Sequence, residues 1–189
     1  MSTDAPARTT YLLVDGENID ATLGSSILGG RPTPDQRPRW ERVIGHARQT
    51  WGQPVRPLFF LNATSGNLPM PFVQALLAIG FQPIPLAGEA DEKVVDIGIS
   101  RTLAALGERE GDVLLASHDG DFAGDVERLL QAGDRRVGLY AFREFTSSAL
   151  AALPGLETFD LEHDVQAFNI PLPRVRIIPL AEFDPVRFL

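Results

Sequence analysis

Five short apolar runs alternate with stretches of helical period along this chain, and that alternation restricts the fold more than any other feature. The runs are Tyr11 to Val14, Val55 to Leu61, Phe81 to Leu86, Val113 to Ala116 and Val137 to Ala141. Between them lie helical patterns over Trp40 to Thr50, Pro71 to Ile79, Asp91 to Leu106, Phe122 to Ala132 and Thr146 to Leu153. Strands that alternate with helices read as a parallel sheet with crossover helices, an α/β architecture with both faces of the sheet covered. Thr158 to Leu161 supplies a further short run for a sixth strand. Pro83 and Pro85 remove two ladder donors from the third strand and send it to a sheet edge. Gly80, Gly107 and Gly133 stand just past the ends of three helical patterns, and Pro71 suits a first helical turn. With 189 residues, 44% of them hydrophobic, the chain holds one well-buried core and too little for two full domains.

Two segments break the regular pattern. Residues 16–39 contain four glycines, three prolines and four hydroxyl residues, too long for an ordinary connection. This stretch reads either as a flap over a site or as a flexible insertion within a domain spanning 1–163. The second is the tail, 164–189, where Pro171, Pro173, Pro179 and Pro185 forbid a long helix. Its many apolar residues, among them Phe168, Ile170, Val175 and Phe183, are costly to leave in water. The tail is expected to pack on its own domain or on a partner subunit, which makes a homodimer reasonable.

Acids punctuate the apolar pattern in an ordered way. Asp15 follows the first run, Asp119 and Asp121 follow the fourth, and Asp96 sits in the apolar stretch Val94 to Ile99 that feeds the fourth run. In an open parallel sheet of order 3-2-1-4-5, functional groups gather beyond the carboxyl ends of the strands, where the strand order reverses. Two carboxylates about 4 Å apart repel by roughly 4 kcal/mol at an effective dielectric near 20. Such a cluster needs a proton or a cation, and a hard, oxygen-seeking ion such as Mg²⁺ or Mn²⁺ suits it. Read singly, Asp121 also fits a helix N-cap and Asp15-Gly16 a turn.

The formal net charge of −8 weighs against a nucleic-acid partner only if charge is evenly spread. Here several acids belong to one cluster, and a bound cation reverses the local field. Of the 17 basic side chains, Lys93 is the single lysine, three residues before Asp96. The absence of cysteine removes disulfides, thiolate zinc sites and a thiol nucleophile. No run approaches the length of a spanning helix, and the first ten residues carry no apolar signal segment, so a cytoplasmic protein with no membrane partner is the default expectation.

The ordered motifs YLLVDGEN, KVVD and LLASHDGDF resemble those of the NYN domain, a PIN-like nuclease group that includes the LabA-like bacterial proteins. Asp15 and Asn18 match its D-x-x-N pattern, Lys93, Val95 and Asp96 its K-x-V-D, and Ser117, Asp119, Asp121 and Phe122 its S-G-D-x-D-F. The resemblance implies a Rossmann-like, PIN-type three-layer sandwich of order 3-2-1-4-5 and a metal-dependent ribonuclease, expected to act as an endoribonuclease. It also implies that Asp15, Asp96, Asp119 and Asp121 hold Mg²⁺ or Mn²⁺ for RNA cleavage. Asn18 would orient a water or a phosphate oxygen. Lys93 would either pair with Asp96 or steady charge on the reacting phosphate.

Two positions depart from the family pattern. His118 stands where glycine is usual, as a proton carrier or as a turn cap. Thr102 stands where a further acid is common, leaving Glu17, Asp20, Glu89, Asp91 and Asp125 as possible replacements. Arg31, Arg37, Arg39, Arg42 and Arg48 form either a basic rim for RNA or a solvated face. Two other functions remain open: a metal- or RNA-binding regulatory module without turnover, and a phosphohydrolase using Asp15 as nucleophile.

Overall fold

The computed structural model describes residues 8–175 and 177–189, so the first seven residues of the 1–163 unit lie outside it. Six parallel strands form one sheet in the order β3-β2-β1-β4-β5-β6. They are β1 Thr10–Asp15, β2 Val55–Asn62, β3 Gln82–Leu86, β4 Asp112–Ala116, β5 Val137–Ala141 and β6 Glu157–Asp160. The helices are α1 Gly16–Ala21, α2 Trp40–Trp51, α3 Met70–Ala78, α4 Val94–Gly107, α5 Ala123–Gln131 and α6 Ser148–Ala151. Among the described residues, no helix is long and apolar enough to cross a membrane.

Alternation along the strands divides the core into two layers. Leu12 and Val14 of β1 pack with Phe59, Leu114 and Tyr140 against α2 and Leu76 of α3. Leu13 faces the other way, with Phe60, Leu115 and Leu139, against Ile99 and Leu103 of α4 and Val126 and Leu129 of α5. Period-2 strands buried on both faces read as continuous apolar runs because each neighbouring residue meets a different helical layer. The result is an α/β/α sandwich whose strand order reverses between β1 and β4.

Edge placement of β3 follows from its prolines. Pro83 and Pro85, two residues apart, direct their missing donors to the same side, while Gln82, Ile84 and Leu86 alternate with them opposite β2. Pro57 lies inside β2, yet the pairing with β3 begins one residue later at Leu58, so β2 has only its β1 neighbour at that point.

Residues 16–39, expected to be irregular, are largely built. Asp15 caps α1, the chain continues through π-helical turns over Thr22–Leu28, and Gly29 ends them in the left-handed region at φ 70°. A single 3-10 turn, Pro34–Gln36, follows. Arg37 then reaches back to Asp20 with Nε and Nη2 at 3.1 and 3.3 Å, tying the return limb to α1. Propensity gives little warning of this helix, since glycine and asparagine favour turns; it forms because Ile19 and Leu23 bury into the core.

The tail divides in two. Val165, Ala167, Phe168 and Leu172 are buried, and Arg42 fastens this part by donating to the carbonyls of Gln166 and Phe168 at 3.0 and 3.1 Å and to Asn169 Oδ1 at 2.8 Å. Beyond it, Val175, Ile177, Leu180, Val186 and Phe188 are exposed. Arg174 marks the division, itself buried and paired with Asp160, Glu144 and Glu162, with its guanidinium over the Phe142 ring at 5.1 Å. Arg174→Met is expected to lower stability by about 3 kcal/mol in urea denaturation, because it leaves the buried Asp160 without its cation, while Glu144 and Glu162 lie nearer to water.

Candidate active site

Three aspartates are almost wholly buried, and their surroundings separate them. Asp112, at the start of β4, accepts from Arg8 Nε at 2.9 Å, Gln53 Nε2 at 2.6 Å and the Arg136 N–H at 2.8 Å. Asp160, at the end of β6, accepts from Arg174 Nη1 and Nη2 at 2.7 and 2.6 Å. Burial alone would oppose its ionisation, but the Arg174 bonds overcome this and hold its carboxyl well below the usual range. Asp15 has no such cation among the described residues. Its Oδ1 accepts the Asn18 N–H at 3.2 Å and its Oδ2 the Ser117 hydroxyl at 3.0 Å. Burial outweighs these bonds and, with a smaller contribution from the Asp96 charge, raises its pKa from 3.8 to about 6.

Beside Asp15, the carboxylates of Asp96, Asp119 and Asp121 converge, each offering an oxygen within 4.8 Å of the others. Local structure explains the meeting. Asp96 lies in the first turn of α4, and Asp119 caps the 3-10 turn Gly120–Phe122 that leads into α5 by accepting the Asp121 N–H at 2.9 Å. The Asp119 N–H donates to Ser117 Oγ at 3.2 Å, whose hydroxyl donates onward to Asp15. One serine therefore links the buried acid to the convergent group. Lys93, the residue before α4, places Nζ 3.5 Å from both Asp96 Oδ2 and Asp121 Oδ2. The charge of Asp96, then that of Asp121, raises the lysine pKa.

His118 is held in one tautomer by its partners. The Phe142 N–H donates to Nε2 at 2.8 Å, so Nε2 is the acceptor and the proton is on Nδ1, which faces Asn18 Oδ1 at 3.0 Å. The same Asn18 oxygen accepts the His118 backbone N–H at 2.8 Å. The ring stacks on Phe142 at a centroid distance of 5.5 Å. Burial lowers the His118 pKa from 6.5 to about 4. The side chain is thus a neutral brace between the ends of β4, β5 and α1, and both ring nitrogens are taken. His118→Ala, which leaves Asn18 and the Phe142 N–H short of partners, is expected to cost about 2 kcal/mol at pH 7. The wild type gives up this residue's contribution as pH falls from 6.5 to 4, because the unfolded chain gains a proton that the folded one excludes. The difference between the two proteins in urea midpoint is therefore expected to shrink across that interval.

The remaining candidate residues fall in different places. Arg31, Arg37 and Arg39 line a cleft beside Gly16 and Glu17, whereas Arg42 is directed to the tail and Arg48 is exposed on α2. Of the replacement acids, Asp20 pairs with Arg37, Asp125 pairs with Arg128, and Glu89 and Asp91 are exposed. Glu17 is exposed as well, and its charge adds to the rise in the Asp15 pKa. Thr102 turns its hydroxyl to the Gly98 carbonyl at 2.8 Å. Six residues along a helix advance roughly 9 Å and turn about 240° from Asp96, so an acid there would stand well apart from it.

Carboxylate oxygens are the right donors for a hard divalent ion, and the convergent set contains no nitrogen or sulfur ligand. Asp15, buried with no cationic partner among the described residues, adds to their negative field. The residues fit Mg²⁺ or Mn²⁺.

Comparisons with known proteins agree with this architecture. A solved structure of a protein of unknown function from Vibrio parahaemolyticus RIMD 2210633 superposes with a TM-score of 0.65 at 21% identity, covering 87% of this chain and 98% of that one. At that identity it shows a shared fold. No curated protein matches the chain. The family model of the NYN domain matches residues 9–155, most of the chain and all of the residues that carry the acids. The chain therefore belongs to the NYN domain family, within the PIN-like nuclease superfamily.

Proposed function

We propose that the protein is a metal-dependent ribonuclease that hydrolyses RNA phosphodiester bonds at the Asp96, Asp119 and Asp121 cluster. The observation that carries this reading is the convergence of three carboxylates at the reversal of strand order, linked through Ser117 to a fourth, Asp15, that is buried with no cationic partner among the described residues. Asp96, Asp119 and Asp121 would hold Mg²⁺ or Mn²⁺, with Asp15 in support. A divalent ion there supplies a Lewis acid for a phosphate oxygen and a water of lowered pKa.

The chain's own groups do the rest. Ser117 keeps Asp15 and the Asp119 backbone in register, and His118 fixes Asn18 so that its amide nitrogen is free to orient a water or a phosphate oxygen. Lys93, exposed and within reach of two of the acids, brings a positive charge to the place where charge develops on the reacting phosphate. The phosphohydrolase alternative is less well supported, because both Asp15 oxygens already accept hydrogen bonds.

A second reading, a binding module without turnover, draws on Lys93 as well. Its ammonium already offers a counter-ion to Asp96 and Asp121, which lets the cluster persist for a regulatory rather than a catalytic use. The deciding experiment is incubation of labelled RNA of mixed structure with Mn²⁺, Mg²⁺ or EDTA. Cutting that needs the metal supports the nuclease. Intact RNA in all three, alongside measurable Mn²⁺ binding, would move the function to the binding module.

A further inference from the structure

On the α2 and α3 side of the sheet lies a cleft of about 580 Å³, within the roughly 300–1,000 Å³ usual for small-molecule and cofactor sites. Its wall begins with Gly16 and Glu17, the two residues after Asp15, so it opens next to the carboxyl end of β1. Its apolar lining is half-buried at Leu61, Phe72 and Ile79, with Phe59 and Trp40 buried behind them. Phe72 is held edge to face by Phe59 at 5.3 Å, and Phe59 by Trp40 at 5.2 Å, so the Phe72 ring is fixed in place.

The rim is charged, with Glu17, Asp20 and Glu41 beside three arginines. Arg31, Arg37 and Arg39 come from the return limb of residues 16–39. Arg37 is committed to Asp20, but Arg39 has only an exposed Asp35 at 4.0 Å and Arg31 is exposed with no acidic partner among the described residues. One fixed, half-buried aromatic ring under two uncommitted guanidinium groups matches a planar ring attached to an anion. Guanidinium forks recognise phosphate, and every base offers a face that stacks on an aromatic wall.

We propose that this cleft seats one nucleotide of a single-stranded RNA, its base on Phe72 and its phosphate toward Arg31 and Arg39. The proposal rests on the nuclease reading and extends it. With its base in the cleft, the strand continues past Glu17 toward the acids. Stacking on Phe72 needs an unstacked base, so double-stranded RNA is excluded from this seat.

Ala75 gives a clean test, because it lines the cleft from an exposed position on α3 and can be enlarged without opening the core. Ala75→Trp and the pair Arg31→Gln/Arg39→Gln would be compared with wild type in EDTA, using anisotropy of a short fluorescein-labelled single-stranded RNA. Both variants are expected to bind about tenfold more weakly, with melting temperature and Mn²⁺ affinity unchanged. Adenosine monophosphate is expected to quench the Trp40 emission of the wild type and of Trp51→Phe, in which it is the sole tryptophan. RNA affinity unchanged in both variants would overturn the proposal, as would tighter binding of duplex than of single strand. Binding that depends on the cleft in a protein that cuts nothing would sustain the seat and remove the nuclease. Metal-dependent cutting with the same KM and kcat in Ala75→Trp would do the reverse.

Discussion

Asp119→Asn is expected to lower metal-dependent RNA cleavage by about a hundredfold to a thousandfold, the order lost when one preorganised electrostatic group is removed. The substitution keeps shape and most bonds. An asparagine oxygen still accepts the Asp121 N–H, and the backbone N–H still donates to Ser117 Oγ, so the turn Gly120–Phe122 stays capped. Only the charge goes. Stability should therefore move by no more than about 0.5 kcal/mol, as for a surface change with its bonds intact. Asp125→Asn, away from the cluster and paired with Arg128, is the matched control and should leave cleavage unaltered. Initial rates with Mn²⁺ for the three proteins, beside their thermal melts, decide it. Equal rates for Asp119→Asn and wild type would detach the activity from these carboxylates.

The second large effect concerns Asp15 and runs against intuition, since removing a buried charge is expected to strengthen the fold. Its pKa is raised from 3.8 to about 6 in the folded chain, so the folded state is penalised whenever this group is ionised. The sign follows from proton counting. Between those two values the folded protein binds more protons than the unfolded one, and stability falls as pH rises through the interval. Below 3.8 no penalty exists, and above 6 it is complete. A shift of that size corresponds to about 3 kcal/mol. Asp15→Asn retains an acceptor for the Asn18 N–H, and the Ser117 hydroxyl can turn to accept from the new amide. In EDTA at pH 8 the variant is expected to be about 3 kcal/mol more stable than wild type, with the gain gone by about pH 4. Urea denaturation at the two pH values measures it. A variant less stable at pH 8 would mean that Asp15 is not strained by its surroundings.

Asp15 and His118 titrate in opposite senses over nearly the same range. As pH falls from 6 to 4, protonation of Asp15 relieves the folded state while the unfolded state gains a proton at position 118 that the folded state refuses. The wild type should be nearly flat there with respect to this pair, and each single variant should expose the slope of the other group. Such indifference to acid would be a cancellation between neighbours joined through Asn18.

Cost at Asp15 is the sort of local expense that a functional site carries. Asp112 and Asp160 show that this fold can bury an aspartate with an arginine beside it. At the end of β1 no arginine is supplied among the described residues, and a stabilising replacement there is expected to remove function.

Much of this was legible in the amino-acid sequence, for a definite reason. Leu12 to Val14 in β1, and Val113, Leu114 and Leu115 in β4, are buried on both faces of the sheet, so hydrophobic runs alone reveal these strands. Pro83 and Pro85 marked the edge, because a missing donor is a covalent fact. The helix boundaries moved by a few residues, as at α4, read from Asp91 but beginning at Val94, and at α6, read from Thr146 but spanning Ser148–Ala151.

What depends on groups far apart in the chain was decided only by the tertiary structure. The motif SHDGDF does not say that His118 is a neutral brace, since that follows from an N–H donated by Phe142, 24 residues away. Nor does the arginine-rich stretch say which guanidinium groups face solvent and which hold the fold: Arg42 reaches residues 166–169, more than 120 positions on, while Arg31 and Arg39 line a cleft. Residue type and period carry the local energies, and these wrote the strands, the edge and the ordered acids into the sequence. Burial and hydrogen-bond partnership arise only when the layers close, and they alone set Asp15 apart from the more accessible carboxylates of Asp96, Asp119 and Asp121.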